Sequence, residues 1–416
     1  MVASGHLMLR GFMRKIYVHN RKAVPVDKPV LLAANHPTAF VDPCLLCTFI
    51  DAPLYNMTRG DVFQRPLYRK LLEGINMFPV YRVRDGYTGR DRNDQVFEYC
   101  EQKLLDNQVV TIYVEGEHHL EKRVRPIQKG ILRVAFGAYE KHRMRDLQVI
   151  PAGCNYVYGD RPRDEVMVNI GKPLYIRDFW DVYQKDPAEG MASLSQAIET
   201  ELRRICFHLK HPEDANLLEQ LLTLHRSMHP VPLVPIVVFS NKRFSGEKEV
   251  CDRLNGMEPD KKAQLSAQAA AYFDALRQAG LEDAALMAPE WGAWWRLFYF
   301  FLGFPAFLLG FVTSFPVIWL SRSVADKTVK KREFYSSVRL GVGHLGGMAY
   351  YALWFLICLL IWNPWWIGLS LMLPALGWFS MFYRENWERW RGARRALGHP
   401  DRARLLLIRN SVDFKF

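Results

Sequence analysis

The sequence predicts an α/β domain, a mixed sheet flanked by helices, followed by a C-terminal α-helical membrane anchor. Three observations lead there. Over roughly residues 29–180, short apolar runs alternate with amphipathic stretches of helical period. Between Arg296 and Arg322 lie 25 residues without a charge, and between Arg339 and Arg384 lie 44 more. The formal charge of +12 gathers at three places, two of which flank those runs.

The candidate strands are Val30–Ala34, Met77–Tyr81, Val109–Val114, Leu147–Ala152 and Val166–Ile170. Helical patterns lie between them, clearest at 93–106 and 130–141. Helical period then dominates 189–228 and 258–280, joined by the apolar stretch Val231–Phe239. Near the N-terminus, Leu9, Phe12, Met13, Ile16 and Tyr17 can share one face of a short basic amphipathic helix, lying on a membrane or packed on its own domain. Basic residues interrupt the apolar groups of the first 25 residues, so no secretory signal is expected. A bilayer crossing takes about 20 apolar residues. The run 297–320 therefore fits one span or a re-entrant segment. The run 340–383 fits two spans around Asn363-Pro364, and nine tryptophans crowd the run ends as an interfacial belt would. The predicted boundaries are 1–225 for the α/β domain, 226–290 for a helical connection and 291–416 for the membrane-associated region with its basic tail.

Composition narrows the function classes. At 416 residues the chain is too long for one ordinary domain, and 50% hydrophobic with 24% charged residues is neither a disordered chain nor a dense transporter. Seven scattered cysteines do not make a secreted disulfide framework. Residues 321–339 hold six basic against two acidic residues, 384–416 nine against four, and 1–30 six against one, leaving the remainder at −2. Such placement is a membrane-surface pattern and not a nucleic-acid patch. It also predicts that the α/β domain, the 321–339 loop and the tail share the cytoplasmic side. That arrangement is met if 297–320 forms a re-entrant or interfacial hairpin bent at Pro305, Gly310 and Pro316, while 340–383 crosses and returns.

Ligands of open α/β sheets collect beyond the carboxyl ends of the strands. Those ends carry Asn35-His36-Pro37-Thr38-Ala39-Phe40-Val41-Asp42-Pro43, then Arg82, then Glu115-Gly116-Glu117-His118-His119, then Gly153-Cys154-Asn155. A neutral imidazole can take a proton from a hydroxyl, and a carboxylate on its other nitrogen fixes the tautomer. His36 and Asp42 have the right chemistry for this. Six steps on a helix rotate by about 240°, so the pair can meet only across a loop or a helix start. On spacing alone a chance pair remains open.

NHPTAFVDP after an apolar strand resembles the first block of the glycerolipid acyltransferase family, in the variant with five residues between His and Asp. Phe78-Pro79-Val80-Tyr81-Arg82 resembles the second block. Val114-Glu115-Gly116 with Gln128-Lys129-Gly130 resembles the third, and Val149-Ile150-Pro151 the fourth. The four blocks span a little over a third of the chain. The resemblance implies an acyltransferase domain of mixed-sheet fold, with His36 as general base and Asp42 as its orienting partner. Arg82, Glu115, Gly116 and Lys129 would bind the acceptor's polar head. The implied reaction moves a fatty acyl group from acyl-CoA or an acyl-carrier protein to glycerol 3-phosphate or 1-acylglycerol 3-phosphate, with membrane lipids as partners, no other cofactor and no metal. The third block departs from the family pattern: Glu117, His118 and His119 stand where a small hydroxylated or basic residue is usual, which leaves the acceptor open. The alternative function is a non-catalytic lipid-binding or scaffold protein that keeps the fold.

Other signals are weaker. Cys44-Leu45-Leu46-Cys47 lacks the second pair of a zinc site. His225 and His229 lack the internal glutamate of a zinc protease. No G-x-S-x-G elbow and no P-loop is present.

Overall fold

The structure is a computed structural model and describes residues 2–80 and 90–414. The chain forms two compact units. The first comprises Met1–His208, Ile236–Phe244 and Lys331–Ser337, and the second comprises Leu209–Pro235, Ser245–Lys330 and Val338–Phe416.

The first unit is built on a nine-stranded sheet. Its strands are β1 (Lys15–His19), β2 (Val30–Ala34), β3 (Leu54–Arg59), β4 (Met77–Val80), β5 (Val109–Tyr113), β6 (Gln148–Tyr156), β7 (Glu165–Ile170), β8 (Leu174–Tyr175) and β9 (Val237–Val238). They lie in the order β4-β3-β5-β2-β6-β7-β1-β9, with β8 beside β6. β6 runs antiparallel to β7 and β8, and the other described pairs are parallel. The sheet is therefore mixed, as the alternating pattern predicts. Every residue of central β2 is fully buried. A parallel strand covered on both faces needs such a continuous apolar run. The unit's helices are α1 (Val2–Phe12), α2 (Val41–Phe49), α3 (Pro66–Glu73), α4 (Arg90–Leu105), α5 (Lys129–His142), α6 (Arg177–Lys185) and α7 (Pro187–Ile205). Leu104 of α4, Phe136 of α5 and Ile198 of α7 share one core cluster with Leu31 and Val110 of the sheet.

The N-terminal prediction needs correction. The helix ends at Phe12, and Ile16 and Tyr17 belong to β1, where Ile16 pairs with Val166 of β7. The branched and aromatic run Lys-Ile-Tyr-Val-His fits a pleated, half-covered surface better than a helix. Leu9 is fully buried, so α1 packs on its own domain.

The second unit holds α8 (Ala215–Met228), α10 (Pro259–Ala279), α11 (Asp283–Met287), α12 (Arg296–Thr328), α14 (Pro364–Leu397), α15 (Arg402–Asn410) and most of α9 (Lys242–Asn255) and α13 (Tyr335–Ile361). Arg409 of α15 is buried against Asp283, at 2.8 Å, and the Tyr272 hydroxyl donates to the same carboxylate. The tail is thereby tied to α10 and α11. α12, α13 and α14 are each long and apolar enough to cross a membrane. Their large side chains face outward, as at Phe301, Leu360 and Trp365.

Residues 297–320 do not form a hairpin. They lie within one continuous helix with Pro305 and Pro316 inside it. An interior proline removes one backbone bond and kinks a helix, which is far short of reversing it. α12 and α14 meet through small residues. A Cβ on Gly310 would fall 2.1 Å from the Leu376 carbonyl oxygen, and one on Gly377 would fall 2.3 Å from Ser314 Oγ. Ser314 Oγ also lies 2.9 Å from the Tyr351 hydroxyl of α13, so three helices converge there.

Candidate active site

The site is built at the carboxyl ends of β2, β5 and β6. Asn35, the first residue beyond β2, forms a reciprocal pair with the β6 backbone. Its Nδ2 donates to the Cys154 carbonyl at 3.1 Å and its Oδ1 accepts from the Cys154 amide at 2.7 Å. This side chain acts as one more rung of the sheet and pins the start of the loop. The chain then turns through Pro37 and reaches Asp42 in the first turn of α2. The turn and helix start bring the carboxylate back, and His36 Nδ1 lies 2.9 Å from Asp42 Oδ2.

Asp42 is wholly buried, and its ionised form is matched by an unusual number of donors. The Thr38 amide donates to Oδ2 at 2.8 Å, the Thr38 hydroxyl to Oδ1 at 2.8 Å, and the Tyr156 hydroxyl to Oδ1 at 2.6 Å. Burial holds the Tyr156 phenol well above its ordinary pKa, so it stays a donor. A buried carboxylate persists only when hydrogen-bonded in this way. With Nδ1 committed to Asp42, Nε2 is the nitrogen left to meet a substrate.

The His36 ring sits among aromatic neighbours. The Tyr113 ring stacks on it at 3.7 Å with 15° between planes, and the His118 ring lies 4.2 Å away at 52°. Phe334 in turn meets His118 edge-on at 4.9 Å. The loop after β5 also grips the His36 backbone. His119 donates its amide to the His36 carbonyl at 3.3 Å, and the His36 amide donates to the Glu115 carboxylate.

The other predicted site residues are placed unevenly. Glu115 is buried, with its oxygens also taken by the Arg125 amide at 3.0 Å, and burial pushes its carboxyl up to about 7 despite those donors. Gly116 turns with φ +70°, a region glycine enters without strain, and a Cβ there would press on Gln128 at 3.2 Å. Lys129 opens α5 and is exposed. Arg82 lies outside the described residues. Cys44 and Cys47 sit on α2, where burial raises both thiols and Asn56 donates to Cys47 Sγ.

Tyr156, Tyr113 and Phe334 were not predicted. Thr38 and His118 stood inside quoted motifs without an assigned role. Tyr156 ends the strand that holds the fourth block, a position that could have drawn notice. Phe334 lies 298 residues from His36 between two apolar runs, and no sequence pattern points to it.

Comparisons with known proteins agree with this geometry. Residues 15–155 match the Acyltransferase family. Glycerol-3-phosphate O-acyltransferase 1 of Saccharomyces cerevisiae is 23% identical over 193 residues, covering 45% of this chain and 24% of that protein. An uncharacterised acyltransferase of Schizosaccharomyces pombe is 23% identical over 155 residues, covering 36% of this chain and 23% of that protein. The chain thus spans about a quarter of the length of these curated relatives. Among solved structures, the 1-acyl-sn-glycerophosphate acyltransferase PlsC of Thermotoga maritima aligns with a TM-score of 0.34 and 15% identity, over 46% of this chain and 71% of that one. The motif order, the matched domain and the curated relatives all liken residues 15–155 to the acyltransferases.

Proposed function

We propose that the protein moves a fatty acyl group from a thioester donor, acyl-CoA or acyl-carrier protein, to a hydroxyl of glycerol 3-phosphate or 1-acylglycerol 3-phosphate at a membrane surface. The observation that carries this reading is the 2.9 Å pairing of His36 with a buried, fully hydrogen-bonded Asp42. A scaffold that only bound lipid would have no need to hold an imidazole in one tautomer.

In the reaction the acceptor oxygen attacks the thioester carbonyl while its proton passes to His36 Nε2. Asp42 steadies the imidazolium that forms. The tetrahedral intermediate collapses, the C–S bond breaks, and the imidazolium returns the proton to the departing thiolate. The new ester and a free thiol balance the step, with no acyl-enzyme between. Arg82 and Lys129 are the cations assigned to the acceptor phosphate, Arg82 through its planar fork. Gly116 lets backbone approach that head closely. Glu115 contributes by bracing the His36 loop through two backbone amides.

The catalytic unit is assigned to the cytoplasmic face. Before Arg296 the chain has no uncharged run long enough to cross a bilayer, so α12 starts on the catalytic side. Lys331–Ser337, just beyond its end, packs within the catalytic unit. The 321–339 loop and the 384–416 tail are both basic, and short basic segments resist translocation, which supports the same assignment. Cysteines placed at Ser323 and Ser411 should label with an impermeant reagent only after cells are opened.

The decisive functional experiment is acyl transfer by membranes holding the full chain, with a labelled acyl donor and a panel of acceptors that includes glycerol 3-phosphate, its 1-acyl derivative and an uncharged lysolipid. Transfer to a phosphate-bearing acceptor that disappears in His36→Ala supports the reading. Binding without transfer to any of them overturns it.

A further inference from the structure

The segment Lys331–Ser337 joins α12 to α13, yet it packs as part of the catalytic unit. It is fastened at both ends. Arg332 pairs with Asp160, the Ser336 hydroxyl donates to the Gly159 carbonyl at 2.6 Å, and the Ser337 hydroxyl accepts from the Phe40 amide at 2.8 Å. Phe40 is the residue before α2, inside the loop that runs from His36 to Asp42. Between these fastenings Phe334, half-buried, sets its ring edge-on to His118, whose ring in turn touches His36. The catalytic imidazole therefore belongs to an aromatic column, Tyr113–His36–His118–Phe334, whose outermost member comes from between the two longest uncharged runs of the chain.

We propose that Phe334 is a positioning residue for His36, acting through His118, so that the base is held in its productive plane only while the segment joining the apolar helices is seated. This rests on the acyltransferase reading above. The hydrogen bond from Nδ1 to the Asp42 carboxylate fixes one edge of the imidazole, but a ring held at one edge can still rock about it. The faces must be held separately. Tyr113 supplies one ring contact from the sheet and His118 supplies another from a loop. Phe334 meets the outer side of the His118 ring and so steadies that loop side chain. Electron-rich ring faces also favour the imidazolium over the neutral ring, the form that develops as the proton arrives. The column thus acts more on the transition state than on substrate binding.

The test uses the full-length protein in membranes and in detergent micelles. Phe334→Ala and His118→Ala should each lower kcat about tenfold with both KM values within twofold. The double variant should be no worse than either single one, because the two act in series. Phe334→Tyr and His118→Phe should recover most of the rate, while Phe334→Leu, which keeps apolar bulk but no ring, should not. Independently of turnover, carbethoxylation of His36 by diethyl pyrocarbonate, mapped by mass spectrometry, should run several-fold faster in both alanine variants. Losses that multiply in the double variant, or a Phe334→Ala defect confined to the acyl-donor KM, would overturn the proposal. If the wild-type chain transferred no acyl group to any acceptor, the functional reading would fall. The column would still be judged by the modification rates, and equal rates in wild type and Phe334→Ala would refute it.

Discussion

The sheet of the first unit and the long helices of the second differ in what they bury. In the first, the interior is apolar and its polar exceptions are individually matched, as Asp42 is by Thr38, Tyr156 and His36. In the long helices of the second, phenylalanine, leucine and tryptophan face outward while Ser314, Ser370, Ser380, Gly310 and Gly377 lie inside. Water drives the first pattern. The second makes sense where the surroundings are as apolar as leucine, so that helices gain nothing by hiding it and associate instead through close backbone approach. In these helices, each long and apolar enough to cross a membrane, the small residues share the interior with Phe300, Leu373, Tyr383 and Trp390.

Variants of both kinds can test that contrast. The largest effect is expected at His36. His36→Ala should reduce acyl transfer on the order of 10³-fold while leaving membrane location intact. Transfer retained above a few per cent of wild type removes it as base. Next is Gly310→Ala, whose new methyl meets the Leu376 carbonyl at 2.1 Å and should cost about 3 kcal/mol. Gly341→Ala, with nothing within 4 Å, should be close to neutral. Thermal unfolding in micelles distinguishes them, and equal midpoints would mean that α12 and α14 do not cross there. Third, Asp42→Asn should lower kcat on the order of 10²-fold, less than loss of the base itself. A wild-type rate would sink the pairing.

Glu115 gives a smaller, pH-dependent effect. Its carboxyl is pushed by burial to about 7 in the folded chain from an ordinary 4.5. Between those values the folded state keeps a proton that the unfolded chain has released, so this group's contribution to stability falls as pH rises through the window. Glu115→Gln should remove about 2 kcal/mol of that dependence between pH 5 and pH 7. Unfolding midpoints measured at both pH values would show it. An unchanged pH slope would mean that the carboxylate is ionised throughout.

How much could be read from sequence followed the reach of each interaction. β2, β5 and most of β6 were legible because a strand covered on both faces must be continuously apolar. β1 and β3 were not, since Lys15, Asn56 and Thr58 interrupt the pattern and their burial comes from neighbours far along the chain. His36 and Asp42 stand six residues apart within one motif and were found. Tyr156 reaches Asp42 over 114 residues, and Phe334 reaches the column over a longer separation still. Nothing local marks Phe334, and Tyr156 is marked only by its place at the end of β6. The hairpin at 297–320 failed because prolines were read as reversals, whereas a long apolar helix absorbs them as kinks.

Asp42 also has more partners than a carboxylate needs, which bears on how the site tolerates mutation. Besides the histidine, it takes two donors from Thr38 and one from Tyr156. Such redundancy makes the charge robust to single losses and fragile to paired ones. Tyr156→Phe or Thr38→Val alone should slow turnover by about tenfold or less, since the remaining donors still solvate the anion. Together they leave only the Thr38 amide and His36, and the loss should exceed the product of the two. Sequence drift could therefore change either position alone at modest cost, each change making the other residue indispensable. Rates from the two single variants and the double variant would expose that hidden dependence, and a strictly multiplicative result would show the donors to be independent.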